Sequence, residues 1–417
     1  MDKKPPMKTG KPRPMRSEED RDPCGDALFR GKTVIFAIND LEFFLSHRLA
    51  LGVEGVRRGA RVKLIAPYSE GRALLEARGI TWIPWDVDRW SANPWEELAA
   101  VRTLTMLYRR ERPDLVHHVT IKPVIYGSIA ARMAGVPAVV NAVPGRGLVF
   151  SSTGIRAGIR RRLVEGLYRL ALRHPHQITI FQNRGDLEFF VERGIIPADA
   201  CRLISGSGVD PEVFQAHPLP DGVPVVLFPA RLLWAKGIRE LVEAARMLRR
   251  ERVAFRLVVV GPVIESNPDG VPEHQVRAWE NEGILEYWGF RTDMPEVLRQ
   301  AHVVCLPSYG EGIPKALIEA HACARPVVAS DIPGCRELVV PGYTGLLVPP
   351  RDPQALAAAL RSLLADRSLM ETWGANARRH MLEGGYTLES VVDQTFDVYA
   401  SLLSEGAGTR RRSPPAR

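Results

Sequence analysis

The 417-residue sequence contains few cysteines and no long apolar segment, and both shortages exclude whole classes of protein. Its longest apolar runs, such as residues 223–230, are interrupted by prolines and are far too short to span a bilayer. The chain does not open with a positively charged stretch followed by an apolar core, so no secretory signal is expected. Five cysteines without a C-x-x-C spacing favour buried thiols in a reducing cytosol over a disulfide framework or a zinc site. These observations predict a cytoplasmic protein without a membrane-spanning helix.

The positive charge of the chain lies mainly at its two ends. Residues 1–30 hold eight Lys or Arg and six Asp or Glu, and residues 405–417 hold four and one. The segment between them therefore carries only +3 of the net charge of +8. Both ends have little to bury, and we predict a disordered leader at 1–30 and a disordered basic tail at 405–417. Nucleic-acid binding would need a basic stripe with interleaved aromatic residues on a folded face, so no nucleic-acid partner is expected.

Short β-branched runs alternate with helix-length amphipathic segments along most of the chain. Strands separated in this way imply β-α-β crossovers and parallel sheets. A chain of 417 residues exceeds what one hydrophobic core usually serves, so two domains are expected. The predicted strands are 33–38, 61–66, 114–117, 138–142 and 177–181 in the first half, and 223–228, 255–261, 284–288, 302–306, 326–329 and 344–348 in the second. The predicted helices are 43–58, 94–110, 122–134, 155–173, a pair within 352–381, and 388–403.

A cluster of prolines and glycines at 206–222 interrupts this alternation and predicts a linker. We therefore expect two Rossmann-like, doubly wound α/β domains, at 31–205 and 223–385, which face a central cleft. Ligands of open parallel sheets bind beyond the carboxyl ends of the strands, and the ends of both sheets would surround this cleft. A last helix at 386–404 either packs on the second domain or crosses back to the first.

The segment from Pro307 to Glu319 combines a glycine-bracketed turn with two carboxylates. Glu311 lies in the turn after a predicted strand, and Pro314 is well placed as the first residue of a helix. The backbone N–H groups from Gly312 onwards would then suit a phosphate at a helix start. Glu311 and Glu319 are eight residues apart, about 12 Å along a helix, which fits neither a metal site nor a catalytic carboxylate pair. The spacing suits two sugars on either side of a diphosphate, or else a helix-capping acid and an exposed glutamate.

Arg231 and Lys236 lie in a second turn of the same half. This turn again follows a predicted strand and precedes an amphipathic helix. The two cations could converge on one anion, where arginine offers a fork of donors and lysine offers a point charge. Each of them alone could equally be a solvated loop cation. One cationic turn and one turn with free amides in the same domain together favour an anion site.

The combination of Arg231-x4-Lys236-Gly237 with Glu311-x7-Glu319 resembles the donor-site signature of glycosyltransferase family 4. The resemblance covers roughly residues 31–404 and is also specific in the segments 206–214 and 327–338. It implies the two-domain architecture called GT-B and a nucleotide-diphosphate sugar as the donor substrate.

The resemblance implies a role for each of these turns. The two cations bind the donor diphosphate, the first glutamate and the amides after it hold the transferred sugar and the distal phosphate, and the second glutamate holds the ribose. An aromatic residue and an arginine after the strand at 284–288 lie near the base. Glu311 is thereby a catalytic residue, and the donor-binding residues are Arg231, Lys236, Gly312, Ile313, Glu319, Phe290 and Arg291.

The first half resembles a narrower branch, the enzymes that extend polyprenyl-diphosphate-linked sugars for surface glycans. The resemblance lies in 43–48, 117–123 and 141–150, whereas residues 39–42 read Asn-Asp-Leu-Glu where many family members carry paired glycines. It implies that His118 contacts the transferred sugar as a second catalytic residue and that Lys122 meets an acceptor phosphate. Packing in the core or on the surface is the alternative for both side chains. A mobile acceptor loop is expected to contain Asn141, Gly145 and Gly147.

The predicted helix from Ile155 to Arg173 carries apolar side chains on one face and arginines mostly elsewhere. Such a helix could make a peripheral contact with the inner face of an anionic membrane. It could equally pack its apolar face on its own sheet. A lipid-linked acceptor would make the membrane contact sensible.

The resemblance implies a retaining glycosyltransferase that moves a hexose-type residue from a nucleotide-sugar, expected to be a UDP-sugar, to a lipid-linked saccharide in surface polysaccharide assembly. The leaving diphosphate accepts the acceptor proton, while cations and amides stabilise its growing charge. No side-chain nucleophile and no D-x-D-like metal anchor is evident in the sequence, so neither a metal nor another cofactor is expected. The alternatives are a nucleotide-sugar epimerase of the same architecture and a non-catalytic binding protein that uses its basic tails.

Overall fold

The computed structural model describes residues 27–68, 71–87, 93–145 and 155–410. The predicted leader and basic tail lie largely outside these residues, and so does Gly147 of the predicted acceptor loop. Within them the chain forms two parallel sheets, one of seven strands and one of six. The fold class predicted from the alternation of strands and helices is confirmed.

The first sheet is built from the first half of the chain. Its strands are β1 (Thr33–Ile38), β2 (Arg61–Ala66), β3 (Thr81–Pro84), β4 (Leu115–Val119), β5 (Ala138–Val143), β6 (Gln177–Phe181) and β7 (Cys201–Leu203). The strand order is β3-β2-β1-β4-β5-β6-β7, and every neighbouring pair is parallel. The order reverses between β1 and β4, which is where ligands of doubly wound sheets bind.

The second sheet repeats this plan. Its strands are β8 (Val225–Pro229), β9 (Arg256–Val260), β10 (Glu286–Tyr287), β11 (Val303–Leu306), β12 (Val327–Ser330) and β13 (Gly345–Val348). The order is β10-β9-β8-β11-β12-β13, again parallel throughout. Its order reverses between β8 and β11. The predicted linker at 206–222 lies between the last strand of the first sheet and the first strand of the second.

Helices connect the strands in both halves. Several of them begin at a side chain that accepts a hydrogen bond from the first turn, as Asp40, Asn183 and Asp352 do. In the first half they are α1 (Leu41–His47), α2 (Leu49–Arg57), α3 (Arg72–Glu76), α4 (Pro94–Glu111), α5 (Ile121–Ala134), α6 (Ile155–Ala171) and α7 (Arg184–Glu192). In the second half they are α8 (Ile238–Arg250), α9 (Glu273–Asn281), α10 (Met294–Arg299), α11 (Lys315–Ala322), α12 (Pro333–Arg336), α13 (Pro353–Leu364), α14 (Arg367–Glu383) and α15 (Leu388–Arg410).

The structure differs from the predicted elements at two sheet edges, at the end of β4 and in the first helix, and it adds helices α3, α7, α9 and α10, for which no bounds were predicted. Strands β3 and β7 were not predicted, because runs of four and three residues at the sheet edges carry too little pattern. The helix predicted at 43–58 is two helices, α1 and α2, which meet at Arg48. Arg48 has a φ of −132° and a ψ of −7°, so the chain leaves the helical conformation there.

The last helix, α15, crosses back to the first domain. Val391, Phe396, Tyr399 and Leu402 join the same buried cluster as Phe36 of β1. Each of these side chains is 3% exposed or less. Burying an apolar side chain of this size contributes about 1.5–3 kcal/mol, so these contacts hold α15 on the first sheet rather than the second.

Candidate active site

The carboxyl ends of the two sheets meet at the loop between β11 and α11, residues 307–314. A methyl group on Gly312 would lie 1.6 Å from the carbonyl oxygen of Pro144, which follows β5. It would lie 2.5 Å from Oε1 of Gln182, which follows β6. On the other side, a methyl group on Gly334 would lie 1.7 Å from the carbonyl oxygen of Gly312. The 307–314 loop is therefore clamped between the first domain and α12, and only a glycine fits at position 312.

Two polar side chains of the first domain bind the backbone of this loop. The Ile313 N–H donates to Oε1 of Gln182 at 3.2 Å, and Nδ2 of Asn183 donates to the Gly312 carbonyl at 3.1 Å. The Ile313 amide, which was expected to face a donor phosphate, is thus bound to a side chain in this structure. Neither Gln182 nor Asn183 was predicted as a site residue. Their position directly after a buried strand was the available signal, because that edge of the sheet faces the cleft.

Lys236 and Glu311 form an ion pair at the centre of the second domain's edge of the cleft. Nζ of Lys236 lies 2.5 Å from Oε1 of Glu311, and both side chains are largely buried. Lys236 ends a 3₁₀ turn at Trp234–Lys236, after β8. The next residue, Gly237, has a φ of +75°, and a methyl group there would lie 2.0 Å from the Pro307 carbonyl oxygen. This close approach of two backbones brings the predicted cation and the predicted carboxylate together.

Glu319 lies on α11, one side of which lines the same region. It is 8% exposed, and burial raises the pKa of its carboxyl. The positive charge of Lys315, whose Nζ lies 3.4 Å from Oε1 of Glu319, lowers this pKa but does not outweigh burial. The two glutamates do not share a helix, because α11 begins only at Lys315 and Pro314 is its N-cap. The expectation that Pro314 is the first helical residue is therefore wrong by one position, and Glu311 belongs to the preceding loop.

Arg231 lies near His47 of the first domain. Burial first, and then the positive charges of Arg48, Lys315 and Arg231, together lower the pKa of His47 to about 3. Nζ of Lys315 also donates to the carbonyl oxygen of Ser46 at 3.0 Å. The end of α1 and the cations of the second domain thus face each other across the cleft. His47 was not predicted as a site residue.

Phe290 and Arg291 follow β10, at the edge of the second sheet. The side chain of Phe290 is 67% exposed. Arg291 forms a two-pronged ion pair with Asp293, in which its Nε donates to Oδ1 at 2.7 Å. Both residues are accessible for a flat ligand, and their contact with a base stays a prediction.

Two family models match the chain. The family model described as "Glycosyl transferase 4-like" matches residues 33–183, and that described as "Glycosyl transferases group 1" matches residues 209–380. Together the two models cover most of both domains. The chain belongs to glycosyltransferase family 4.

Two relatives of the enzyme cover most of its length. It is 29% identical to the N,N'-diacetylbacillosaminyl-diphospho-undecaprenol alpha-1,3-N-acetylgalactosaminyltransferase of Campylobacter jejuni, over 78% of this chain and 88% of the relative. It is 23% identical to the capsular polysaccharide biosynthesis glycosyltransferase CapM of Staphylococcus aureus, over 75% of this chain and 83% of the relative. The predicted resemblance to the branch that works on polyprenyl-linked sugars is confirmed by the first of them.

Solved structures share the fold of the enzyme. Sucrose-phosphate synthase from Thermosynechococcus elongatus superposes with a TM-score of 0.74 at 20% identity, over 90% of this chain and 100% of that one. Anabaena HepE, solved in complex with UDP and glucose, superposes with a TM-score of 0.71 at 20% identity, over 89% of this chain and 100% of that one. At this level of identity the likeness supports the GT-B fold alone.

The structure places His118 of the enzyme in the core, which corrects its assignment as a catalytic residue. Its ring is fully buried, with Nε2 bound to the hydroxyl of Tyr108 at 3.0 Å and Nδ1 bound to Oδ1 of Asn141 at 2.9 Å. Asn141 is itself a buried residue of β5 and not part of a loop. Ser128 also donates to Asn141, at 2.9 Å. These bonds use both ring nitrogens of His118, so neither is available to a sugar.

The remaining predicted acceptor residues differ in their surroundings. Nζ of Lys122 lies 2.6 Å from Oε1 of Glu97, and both side chains are mostly buried. An acceptor phosphate would have to replace this carboxylate, and the contact stays a prediction. Gly145 backs onto the 307–314 loop, where a methyl group would lie 3.3 Å from the Gly312 nitrogen. Gly147 lies outside the described residues.

Helix α6 leaves much of its predicted apolar face uncovered. Ile159 and Leu163 are 66% and 64% exposed, whereas Tyr168 and Ala171 are buried against the first domain. The helix therefore packs through its carboxyl-terminal half. Packing on the sheet, one of the two alternatives for this segment, therefore does not extend to Ile159 and Leu163.

In the described part of the chain, no group of three or more His, Cys, Asp and Glu side chains is placed to hold a metal ion. None of the helices in this part combines the length and the apolar character needed to cross a membrane.

Proposed function

We propose that the enzyme moves a hexose-type residue from a UDP-sugar to a lipid-linked saccharide, with retention at the anomeric carbon and without a metal ion. The ion pair between Lys236 and Glu311 carries the proposal, since it offers one cation for a phosphate and one carboxylate for sugar hydroxyls at the same point of the cleft. The names of the two relatives support a diphospho-polyprenol acceptor and a role in surface polysaccharide assembly. A UDP-sugar is proposed as the donor, and UDP is also the nucleotide in the structure of HepE, which shares the fold.

The residues of the cleft account for the proposed chemistry. The bond between the anomeric carbon and the donor phosphate oxygen breaks, and a bond to the acceptor hydroxyl oxygen forms on the same face of the sugar. The acceptor proton moves to the leaving phosphate oxygen. Lys236 and Arg231 stabilise the negative charge that grows on the diphosphate. Glu311 accepts hydrogen bonds from hydroxyls of the transferred sugar, and Glu319 accepts them from the ribose.

The charges of the site support a reaction without a metal ion. Arg231, Lys236 and Lys315 supply positive charge from three different points of the second domain, which is what a divalent ion would otherwise supply to a diphosphate. Activity that persists after treatment with EDTA is the expected result. Loss of transfer on EDTA treatment, restored by added Mg²⁺ or Mn²⁺, would contradict it.

The assignment is tested by Glu311→Ala and Lys236→Ala. Transfer from a UDP-sugar to a diphospho-polyprenol saccharide is expected to fall by at least about 100-fold in each, because each removes a group that contacts the charge or the sugar in the transition state. Glu251→Ala and Lys63→Ala serve as matched controls, since these residues form ion pairs away from the cleft. Wild-type rates in either site variant would overturn the assignment.

The identity and the stereochemistry of the product separate this function from its rival. Retention is read from the anomeric proton coupling of the product by NMR. An epimerised nucleotide-sugar formed in the absence of any acceptor would instead favour an epimerase. A panel of UDP- and GDP-sugars, screened for thermal stabilisation, identifies the donor, because a ligand bound only by the folded state raises the unfolding temperature.

The exposed part of α6 supports a peripheral contact with the cytoplasmic face of the membrane. Ile159 and Leu163 stand beside the exposed cations Arg160 and Arg162, a combination that suits an anionic lipid surface. The enzyme is expected to sediment with phosphatidylglycerol vesicles and not with phosphatidylcholine vesicles. The double variant Ile159→Ser with Leu163→Ser should lose this binding, and Leu382→Ser on the exposed face of α14 should not. Equal binding by both variants would contradict the contact.

A further inference from the structure

His47 ends α1 at the cleft, and none of the roles proposed above uses it. Its ring stacks on the ring of Phe43, with the centroids 4.2 Å apart and the planes 4° from parallel. The residue before it, Ser46, receives the hydrogen bond from Lys315 of the second domain. The imidazole is therefore fixed by its own helix, at a point where the backbone of that helix contacts the second domain.

The hydrogen bonds of Ser46 determine which nitrogen of His47 carries the proton. Oγ of Ser46 lies 2.7 Å from the carbonyl oxygen of Glu42 and 2.6 Å from Nδ1 of His47. A carbonyl oxygen can only accept, so the single hydroxyl proton of Ser46 points to Glu42. Oγ must then accept from Nδ1–H of His47.

This tautomer leaves a lone pair on Nε2 of His47. No hydrogen bond to Nε2 is found among the described residues. Burial and the neighbouring charges of Arg48, Lys315 and Arg231 keep the ring neutral, with a pKa of about 3. Nε2 is consequently a hydrogen-bond acceptor that does not take up a proton at neutral pH, in a place otherwise dominated by cations. Its natural partner is a hydroxyl group.

The geometry points to His47 as an acceptor-binding residue, whose Nε2 accepts a hydrogen bond from a hydroxyl of the acceptor sugar. The inference rests on the proposed function, since it requires a saccharide acceptor in the cleft. His47 belongs to the first domain, whereas Lys236, Glu311 and Glu319 hold the donor from the second. The bound hydroxyl is a neighbour of the reacting one, because the reacting hydroxyl gives its proton to the leaving phosphate. His47 thus orients the acceptor sugar without joining the proton transfer.

Two substitutions that replace the imidazole of His47 by a side-chain amide distinguish this role from a structural one. In His47→Gln the side-chain amide reaches the position of Nε2 and can present an oxygen there, whereas in His47→Asn it reaches only the position of Nδ1. The expected result for His47→Asn is a rise of about tenfold in the KM for the acceptor, the effect of one lost hydrogen bond, with the donor KM unchanged. His47→Gln should recover most of the wild-type value. Ser46→Ala removes the oxygen that keeps the proton of His47 on Nδ1, and it should raise the acceptor KM by a smaller factor.

The matched control is His274→Asn, because His274 is an exposed histidine of α9 in the second domain. An unchanged acceptor KM in His47→Asn, in an enzyme that transfers sugar normally, would overturn the role of His47 alone. A rise in the donor KM instead would overturn it as well. If the wild-type enzyme transfers no sugar to a diphospho-polyprenol saccharide, the proposed function fails and this inference fails with it.

Discussion

Replacing Gly312 by alanine is expected to separate the two domains at the active site. The added methyl group would lie 1.6 Å from the Pro144 carbonyl oxygen, where real contacts of this kind stay beyond 3.0 Å. Either the 307–314 loop or the end of β5 must therefore shift by about 1.4 Å. Oε1 of Gln182, 2.5 Å from the same methyl group, would have to move too. The hydrogen bond from the Ile313 N–H to Gln182 would be lost in this movement.

The distance by which the 307–314 loop must move determines how much stability and how much transfer activity are lost. Overpacking of this kind costs about 1–3 kcal/mol of stability, which a protein of two domains tolerates. A displacement of about 1 Å at groups that position a substrate lowers rates about 100-fold. Because Glu311 precedes Gly312 directly, it moves with the loop. Gly312→Ala should therefore lose at least about 100-fold in transfer while remaining folded.

The assay compares transfer to a diphospho-polyprenol saccharide with thermal unfolding for Gly312→Ala and Gly166→Ala. Gly166 lies in α6, and a methyl group there would meet nothing within 4 Å. Alanine at position 166 should leave transfer unchanged and stabilise the helix slightly. Wild-type transfer by Gly312→Ala would refute the conclusion that the close contact of the 307–314 loop with the first domain is part of the active state.

Three further results are expected. Arg325→Met should lower the free energy of unfolding by about 3 kcal/mol or more in urea titrations. The buried guanidinium of Arg325 donates hydrogen bonds to the backbone carbonyls of His217, Pro218, Leu298 and Arg299. The matched control is Arg361→Met, which removes an exposed ion pair and should leave the stability close to that of the wild type. Burial lowers the pKa of His321 to about 3 and that of His118 to about 4. Below about pH 6.5 the unfolded chain therefore binds protons that the folded chain does not. The contribution of these histidines to stability should be fully present above about pH 6.5, and it should be lost as the pH drops towards 4. His321→Leu should reduce this loss of stability at acidic pH and should stabilise the protein at neutral pH. The reason is that neither ring nitrogen of His321 has a hydrogen-bond partner among the described residues. A greater loss of stability at acidic pH in the variant would contradict this.

The strands of both sheets could largely be predicted because parallel strands, buried on both faces, form continuous apolar runs. The sequence predicts that α15 is a helix, but it does not predict on which domain this helix packs. An amphipathic pattern shows that a face is buried and not which core receives it. The side chains of Phe396 and Tyr399 would fit either domain by their chemistry, and only the folded chain shows that they pack with Phe29, His117 and Phe36.

The error at His118 has a definite cause. The predicted strand ended at position 117, which would leave the next residue at the edge of the cleft. In the structure β4 continues to Val119, so His117 and His118 point to opposite faces within the sheet. His117 binds the hydroxyl of Tyr399 at 2.5 Å, and His118 binds Tyr108 on the other side. An error of two residues in a strand end was enough to turn the core residue His118 into a site candidate.

The contacts between the domains could not be predicted from either half alone. Gln182 and Asn183 follow an ordinary buried strand, and nothing in their own segment indicates that their partner is a backbone loop about 130 positions later. The candidate donor residues could be proposed from the sequence, because glycines, cations and carboxylates cluster in short turns of one domain. Sequence patterns therefore indicate candidate residues within one local turn, but they do not indicate contacts that depend on the packing of the two domains.

The pairing of Lys236 with Glu311 has a consequence for donor binding. A diphosphate that takes Lys236 as its counter-ion leaves Glu311 without a cation, and the hydroxyls of the transferred sugar then supply the donors that this carboxylate requires. In Lys236→Ala, by contrast, Glu311 would face the diphosphate as an unpaired like charge. We therefore expect Glu311→Gln to restore part of the nucleotide affinity in the Lys236→Ala background, although it weakens sugar binding in the wild type. Isothermal titration with UDP measures this coupling in the two single variants and the double variant. Additive losses in the double variant would show that the two residues bind the donor independently of their ion pair.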